Sequence, residues 1–129
     1  MDKHVVLNVH KFAVSRRQNF VATTFIDKKQ PIPEKTNRYF NATNNLNEYL
    51  ESLSFEQIKI VKTLMYLGRE TTYQDRFKYS GWELYKKQYN YFERELNWNS
   101  RDLEILSIIG KNNLDELLSN GLKIIGIEV

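Results

Sequence analysis

The side chains in this sequence that could do chemistry are few, and most stand where folding accounts for them. His4 and His10 are the only imidazoles. A zinc site takes three or four spaced His, Cys or carboxylate ligands, and no such set accompanies them, so no metal and no cofactor is expected. The absence of cysteine removes thiolate nucleophiles, disulfides, cysteine zinc sites and iron–sulfur clusters. Gly110-Lys111 lacks the upstream glycine and the following Ser or Thr of a phosphate loop. Two carboxylate pairs, Glu93 with Glu95 and Asp115 with Glu116, have the residue types of a hydrolase's acid and base, but they lie on a mixed-charge helix face and in a helix cap, where solvation explains them. No residue is therefore assigned as catalytic, and a non-enzymatic role is expected.

Binding chemistry has better candidates. Arg69 and Glu70 fall just past a strongly marked helix, and a loop held by a rigid helix end is a favourable place for contact residues; a cation complementing the helix dipole is the plainer explanation. The net charge of +3 is unevenly spread. Residues 1–38 hold eight Lys or Arg against three Asp or Glu, whereas the remainder holds eleven against thirteen. Within that basic part Lys11, Arg16, Arg17, Lys28, Lys29, Lys35 and Arg38 accompany Phe20, Phe25, Tyr39 and Phe40, the cation-plus-aromatic mixture used on single-stranded nucleic acid. Arg16, Arg17, Lys28 and Lys29 are the candidate nucleic-acid contacts. No RNP, KH or helix-turn-helix signature supports them.

These candidates must be positioned by helices. Residues 54–67 are the best-marked element: Ser54 and Gln57 form a capping box, Leu53 and Ile58 a hydrophobic staple. Phe55, Ile58, Val61 and Met65 make one apolar stripe and Ile60, Leu64 and Leu67 a second beside it, so the helix is expected to be central. Gly68 is expected to end it in the left-handed conformation, as Gly121 does for the last helix. Val9, Phe12, Ala13, Arg16 and Phe20 recur at helical spacing before it. Residues 20–26 fit either a helix or a strand. Pro31 and Pro33 predict an exposed loop at about 27–43. A helix then presents Leu46, Tyr49, Leu50 and Leu53.

Beyond Gly68, the polar stretch 69–79 carries Tyr73 and Phe77 and has no assigned conformation. Ser80 and Glu83 open a long helix with a seam of Trp82, Tyr85, Tyr89, Phe92 and Leu96. That seam is expected to be either the second half of the core or an interface, with Trp82, Tyr85, Tyr89 and Phe92 as the interface residues. A short helix after Asn99 or Ser100 is expected to bury Leu103, Ile105, Leu106, Ile108 and Ile109. Asn112 or Asn113 opens the last helix, and the apolar tail 122–129 is read as an arm or as a strand pairing with 20–26.

Three segments together resemble a bacterial family, the domain of unknown function 3775 family. Leu64-Met65-Tyr66-Leu67-Gly68-Arg69 is similar to a helix end of the type Leu-Met-Trp-Leu-Gly-Arg-Gly-Asp. Residues 110–122 are similar, without a gap, to a closing Gly-Thr-Pro-Leu-Leu-Gly-Asp-Tyr-Leu-Glu-Glu-Gly-Leu. The Leu-rich acidic lead-in 46–53 matches in place. The resemblance spans residues 46–122, more loosely 7–20, and departs where Glu70-Thr71 replaces Gly-Asp and Asn112 replaces proline. It implies a helical domain and carries no established activity.

At 129 residues with 41% hydrophobic content, the chain suits one domain. The expected architecture is mainly α, a compact bundle of five or six short helices around the central helix 54–67, with room for a small terminal strand pair. Val5-Val6-Leu7 is too short for a signal peptide and no run is long enough to span a bilayer, so a cytoplasmic location without membrane contact is expected. The function expected is a non-enzymatic protein-interaction domain that binds another protein or itself as a homodimer. A nucleic-acid-binding protein using the basic N-terminal segment is the alternative.

Overall fold

The computed structural model describes the backbone of residues 1–24 and 32–129, and the side chains of 1–20 and 38–129. Seven α-helices follow one another among the described residues: α1 Lys3–Thr24, α2 Ile32–Glu51, α3 Phe55–Glu70, α4 Tyr73–Lys78, α5 Gly81–Tyr91, α6 Arg101–Ile109 and α7 Leu114–Ile124. A single π-helical turn, Phe92–Leu96, extends α5. The count exceeds the expected five or six, because the stretch after Gly68 holds a helix of its own.

The central helix forms as its cap dictates. The Gln57 N–H donates to Ser54 Oγ at 3.2 Å and the Ser54 N–H to Gln57 Oε1 at 2.9 Å. Ile58, Val61, Leu64, Met65 and Leu67 are buried in a core shared with Val6 and Val9 of α1, Leu46 and Leu50 of α2, Ile105 and Ile108 of α6, and Leu114, Leu118 and Leu122 of α7. The most extensive contacts run between α3 and α7 and between α1 and α2.

Several expectations are corrected. Gly68 and Gly121 end nothing: both lie inside their helices, and the glycine with positive φ is Gly126, at 86°. An added Cβ on Gly68 would collide with the Leu117 carbonyl, and one on Gly121 with the Leu64 carbonyl. The two glycines let α3 and α7 cross backbone to backbone, an approach that any side chain would hold apart. Gly81, at the first turn of α5, meets the Ile124 carbonyl in the same way.

The loop expected at about 27–43 is helical over 32–43. Pro33 occupies the first turn of α2, where the missing N–H has no intrahelical partner to lose. Residues 20–24 and 122–124 belong to α1 and α7, so no strand pair joins these segments among the described residues. In α6, Leu103 and Leu106 are exposed, while Glu104, Ile105 and Ile108 face inward. The helix is turned by its polar anchors. Arg101 Nη2 donates to the Leu53 carbonyl at 2.8 Å and also bonds the Glu51 carbonyl, closing the end of α2, and Glu104 meets Lys62.

Candidate functional site

Of the basic N-terminal residues, Arg16 and Arg17 are committed to the fold, whereas Lys11 and Arg38 are exposed. Arg16 is buried, with Nη1 donating to the Ile109 carbonyl and Nη2 to the Lys111 carbonyl, each at 2.6 Å. It satisfies the Ile109 carbonyl, which the end of α6 leaves open, and adds a second donor to the Lys111 carbonyl, which also accepts from the Leu114 N–H; burial lowers its pKa against the opposing pull of Tyr39 and Asp115. Arg17 bonds Asp115, at 3.2 Å, and Glu116, in the first turn of α7. Both arginines therefore clamp the corner between α6 and α7. Phe20 and Tyr39 pack on each other at 5.5 Å between ring centroids. Lys28 and Lys29 lie outside the described residues.

The aromatic seam divides. Phe92 is 2% exposed and belongs to the interior, whereas Trp82 is 45% exposed. Trp82, Tyr85 and Tyr89 line a groove of about 370 Å³ together with Ile60, Glu56 and Lys86. Burial pushes the Tyr85 phenol up to about 12, so it stays a hydrogen-bond donor throughout the physiological range. The seam cannot be a single stripe. The π turn at Phe92–Leu96 shifts the register, and Leu96 ends exposed.

Charges and rings also meet in the interior, at a place the sequence reading passed over. Lys62 Nζ forms an ion pair with Glu104 Oε2, and both residues are buried. The ammonium lies 4.7 Å from the Phe92 ring centroid, 5.6 Å from Trp98 and 5.8 Å from Tyr66, within cation–π range. Trp98 closes the box from outside, its indole N–H donating to Glu93 Oε1 at 2.5 Å. That bond is the first cause of the lowered pKa of Glu93. Asn97, just before the ring, has φ 60°. The signal for this box was present: Lys62 falls at helical spacing from Ile58 and Met65, and Glu104 from Ile108, each a charge on an apolar stripe.

Arg69 and Glu70 pair with one another at 3.4 Å, and the Arg69 guanidinium sits 5.7 Å from the Tyr66 ring. They form the last turn of α3 and lead directly into α4. Here the structure supplies what the sequence reading left unassigned. The Asp75 N–H donates to Thr72 Oγ1 at 3.1 Å and the Thr72 N–H to Asp75 Oδ2 at 3.0 Å, a full capping box that lowers the pKa of Asp75. No residue of α4 is buried. Tyr73 and Phe77, one turn apart, are each 76% exposed and meet edge to face with centroids 4.9 Å apart. A hollow of about 230 Å³ at the foot of α4 brings Tyr73 and Arg76 beside Thr71 and, from α7, Asn120 and Lys123. Thr72-x-x-Asp75 with aromatics at 73 and 77 was the available signal for this site.

The arrangement offers hydrogen-bond donors, two cations and apolar faces to a bound surface. It contains no base-oriented nucleophile. Compared with known proteins, the chain matches no family model, no curated protein and no solved structure, and the resemblance of residues 46–122 to the domain of unknown function 3775 family stays a proposal. No described helix is long and apolar enough to cross a membrane.

Proposed function

We propose that the chain is a small, non-enzymatic, cytoplasmic interaction domain that binds a second protein chain through α4. The observation that carries this reading is a helix with a complete capping box that buries none of its own residues yet holds Tyr73 and Phe77 outward in a fixed pair. Folding alone gives no reason for that arrangement. Two large aromatics exposed to water forgo the free energy that burial would return, and Tyr and Phe are enriched where protein surfaces meet. The groove of Trp82, Tyr85 and Tyr89 is a second aromatic surface, separate from α4. The nucleic-acid alternative is weakened by the commitments of Arg16 and Arg17.

A photo-crosslinking amino acid at position 77, with one at exposed Glu48 as control, tests the proposal in cells. The expected result is a discrete adduct from position 77, at twice the mass of 15.4 kDa if the partner is a second copy, that disappears with Tyr73→Ala. Adducts no different from those of the control would overturn it.

A further inference from the structure

Its charge sets the hollow at the foot of α4 apart from three hollows elsewhere on the described surface. Those three each contain carboxylates: Glu56 in the Trp82 groove, Glu70 and Asp75 beside Tyr79, and Asp115 with Glu116 beside His10. The hollow formed by Thr71, Tyr73, Arg76, Asn120 and Lys123 has none, and its two charges are both positive and come from different helices. Neither Arg76 nor Lys123 forms an ion pair among the described residues.

Four carboxylates on α3, α4 and α7 already have partners. Asp75 accepts from the Thr72 N–H in the capping box, Glu70 is held by Arg69, and Asp115 and Glu116 are bonded by Arg17. Arg17 thus takes up the carboxylates of the hollow that Lys123 also borders. Two like charges facing one concavity with no internal counter-ion raise the local concentration of anions.

We propose that this hollow receives an oxyanion, the carboxylate or phosphate of an acidic segment of a protein partner, while an apolar side chain of that segment lies on Tyr73 and Phe77. The proposal rests on α4 being the contact surface and adds the chemical class of what it contacts. Arg76 presents a planar fork of donors suited to two oxygens of one anion, and Lys123 supplies a compact second charge. The Thr71 hydroxyl and the Asn120 amide are donors that fix the orientation of the bound group. An oxyanion with an adjoining apolar group uses both halves of the site, and a purely apolar segment leaves the two cations without a partner.

The test is a titration of the full chain, followed by backbone amide shifts, with a peptide alternating Glu and Phe, its phosphoserine–Phe and Gln–Phe counterparts, and oligothymidylate. The expected result is binding of one or both anionic peptides, with shifts at 71–77 and 120–123 and affinity that falls with added salt. Whichever of the two binds more tightly identifies carboxylate or phosphate as the preferred group. Arg76→Gln with Lys123→Gln, both at exposed positions, should weaken binding at least about tenfold with the spectrum otherwise unchanged.

Equal binding of the Gln–Phe peptide, no response to either anionic peptide, or tighter binding of oligothymidylate through the same residues would overturn the proposal. If Tyr73→Ala with Phe77→Ala abolishes binding while the Arg76 and Lys123 variants do not, the oxyanion site fails and α4 remains the contact surface. If neither pair of variants changes binding, both readings fail.

Discussion

Around Lys62 and around Arg76 the chain combines cations with aromatic rings, and it uses the two combinations in opposite ways. Lys62 is inside, paired with Glu104 and ringed by Tyr66, Phe92 and Trp98. Arg76 is outside, without an ion pair among the described residues, beside Tyr73 and Phe77 whose rings face water. Position decides the consequence. A buried charge must be neutralised where it stands, because removing it from water costs several kcal/mol unless a partner compensates. An exposed one remains solvated and available to a ligand. The interior box therefore belongs to the fold, and the α4 surface is the one proposed for binding.

The comparison makes its strongest claim at Glu104. Replacing it by alanine leaves the Lys62 ammonium buried and unpaired, and should cost about 3–5 kcal/mol in denaturant unfolding. Lys62→Met with Glu104→Leu removes both charges and should recover most of that loss. A single variant that costs less than about 1 kcal/mol would mean that the pair is not structural.

The crossing of α3 and α7 comes next. Gly68→Ala or Gly121→Ala pushes two backbones apart and should destabilise by about 1–3 kcal/mol, more than a change of helix-end conformation would. Unfolding free energies within about 0.5 kcal/mol of the parent would contradict the close crossing. Trp82→Ala should cost about 1 kcal/mol, as suits a ring only half buried, and a loss of about 3–5 kcal/mol would return the whole seam to the core.

A pH titration sharpens the comparison from the side of Trp98. The Trp98 indole holds the Glu93 carboxyl below its usual range. The folded state thus favours the ionised form, and the contribution is present above the unfolded value and lost as pH falls through the lowered folded one. In a Trp82→Phe background, where Trp98 is the sole tryptophan, its fluorescence should stay constant down through the ordinary glutamate range and change only below it. A change centred at or above that range would contradict the bond.

The smallest expected effect lies on α4. Tyr73→Ala with Phe77→Ala should alter stability by no more than about 0.5 kcal/mol, since the helix buries nothing. A larger loss in thermal or denaturant unfolding would show that these rings serve the fold after all.

Local rules that act over three or four residues were readable in advance. Ser54 with Gln57, Ser80 before Glu83 and Ser100 before Leu103 cap the helices expected of them, because the donor and acceptor lie within one turn and need no other part of the chain. The burial of Val9 and Ala13, and of Leu46 and Leu50, follows helical spacing for the same reason. Thr72 and Asp75 obey this rule as well, so α4 was legible although it was left unassigned. Tertiary structure decided what spacing does not contain. Gly68 and Gly121 read locally as helix ends, and only the meeting of two helices distant in the chain makes them the points of closest approach. Lys62 and Glu104 each stand on an apolar stripe of their own helix, but only the laying of α6 on α3 decides that the two charges meet. The hollow of Arg76 and Lys123 exists only because α4 stands beside the end of α7. Capping and periodicity are properties of a single segment, whereas desolvation, close backbone approach and the pairing of charges depend on which segments meet.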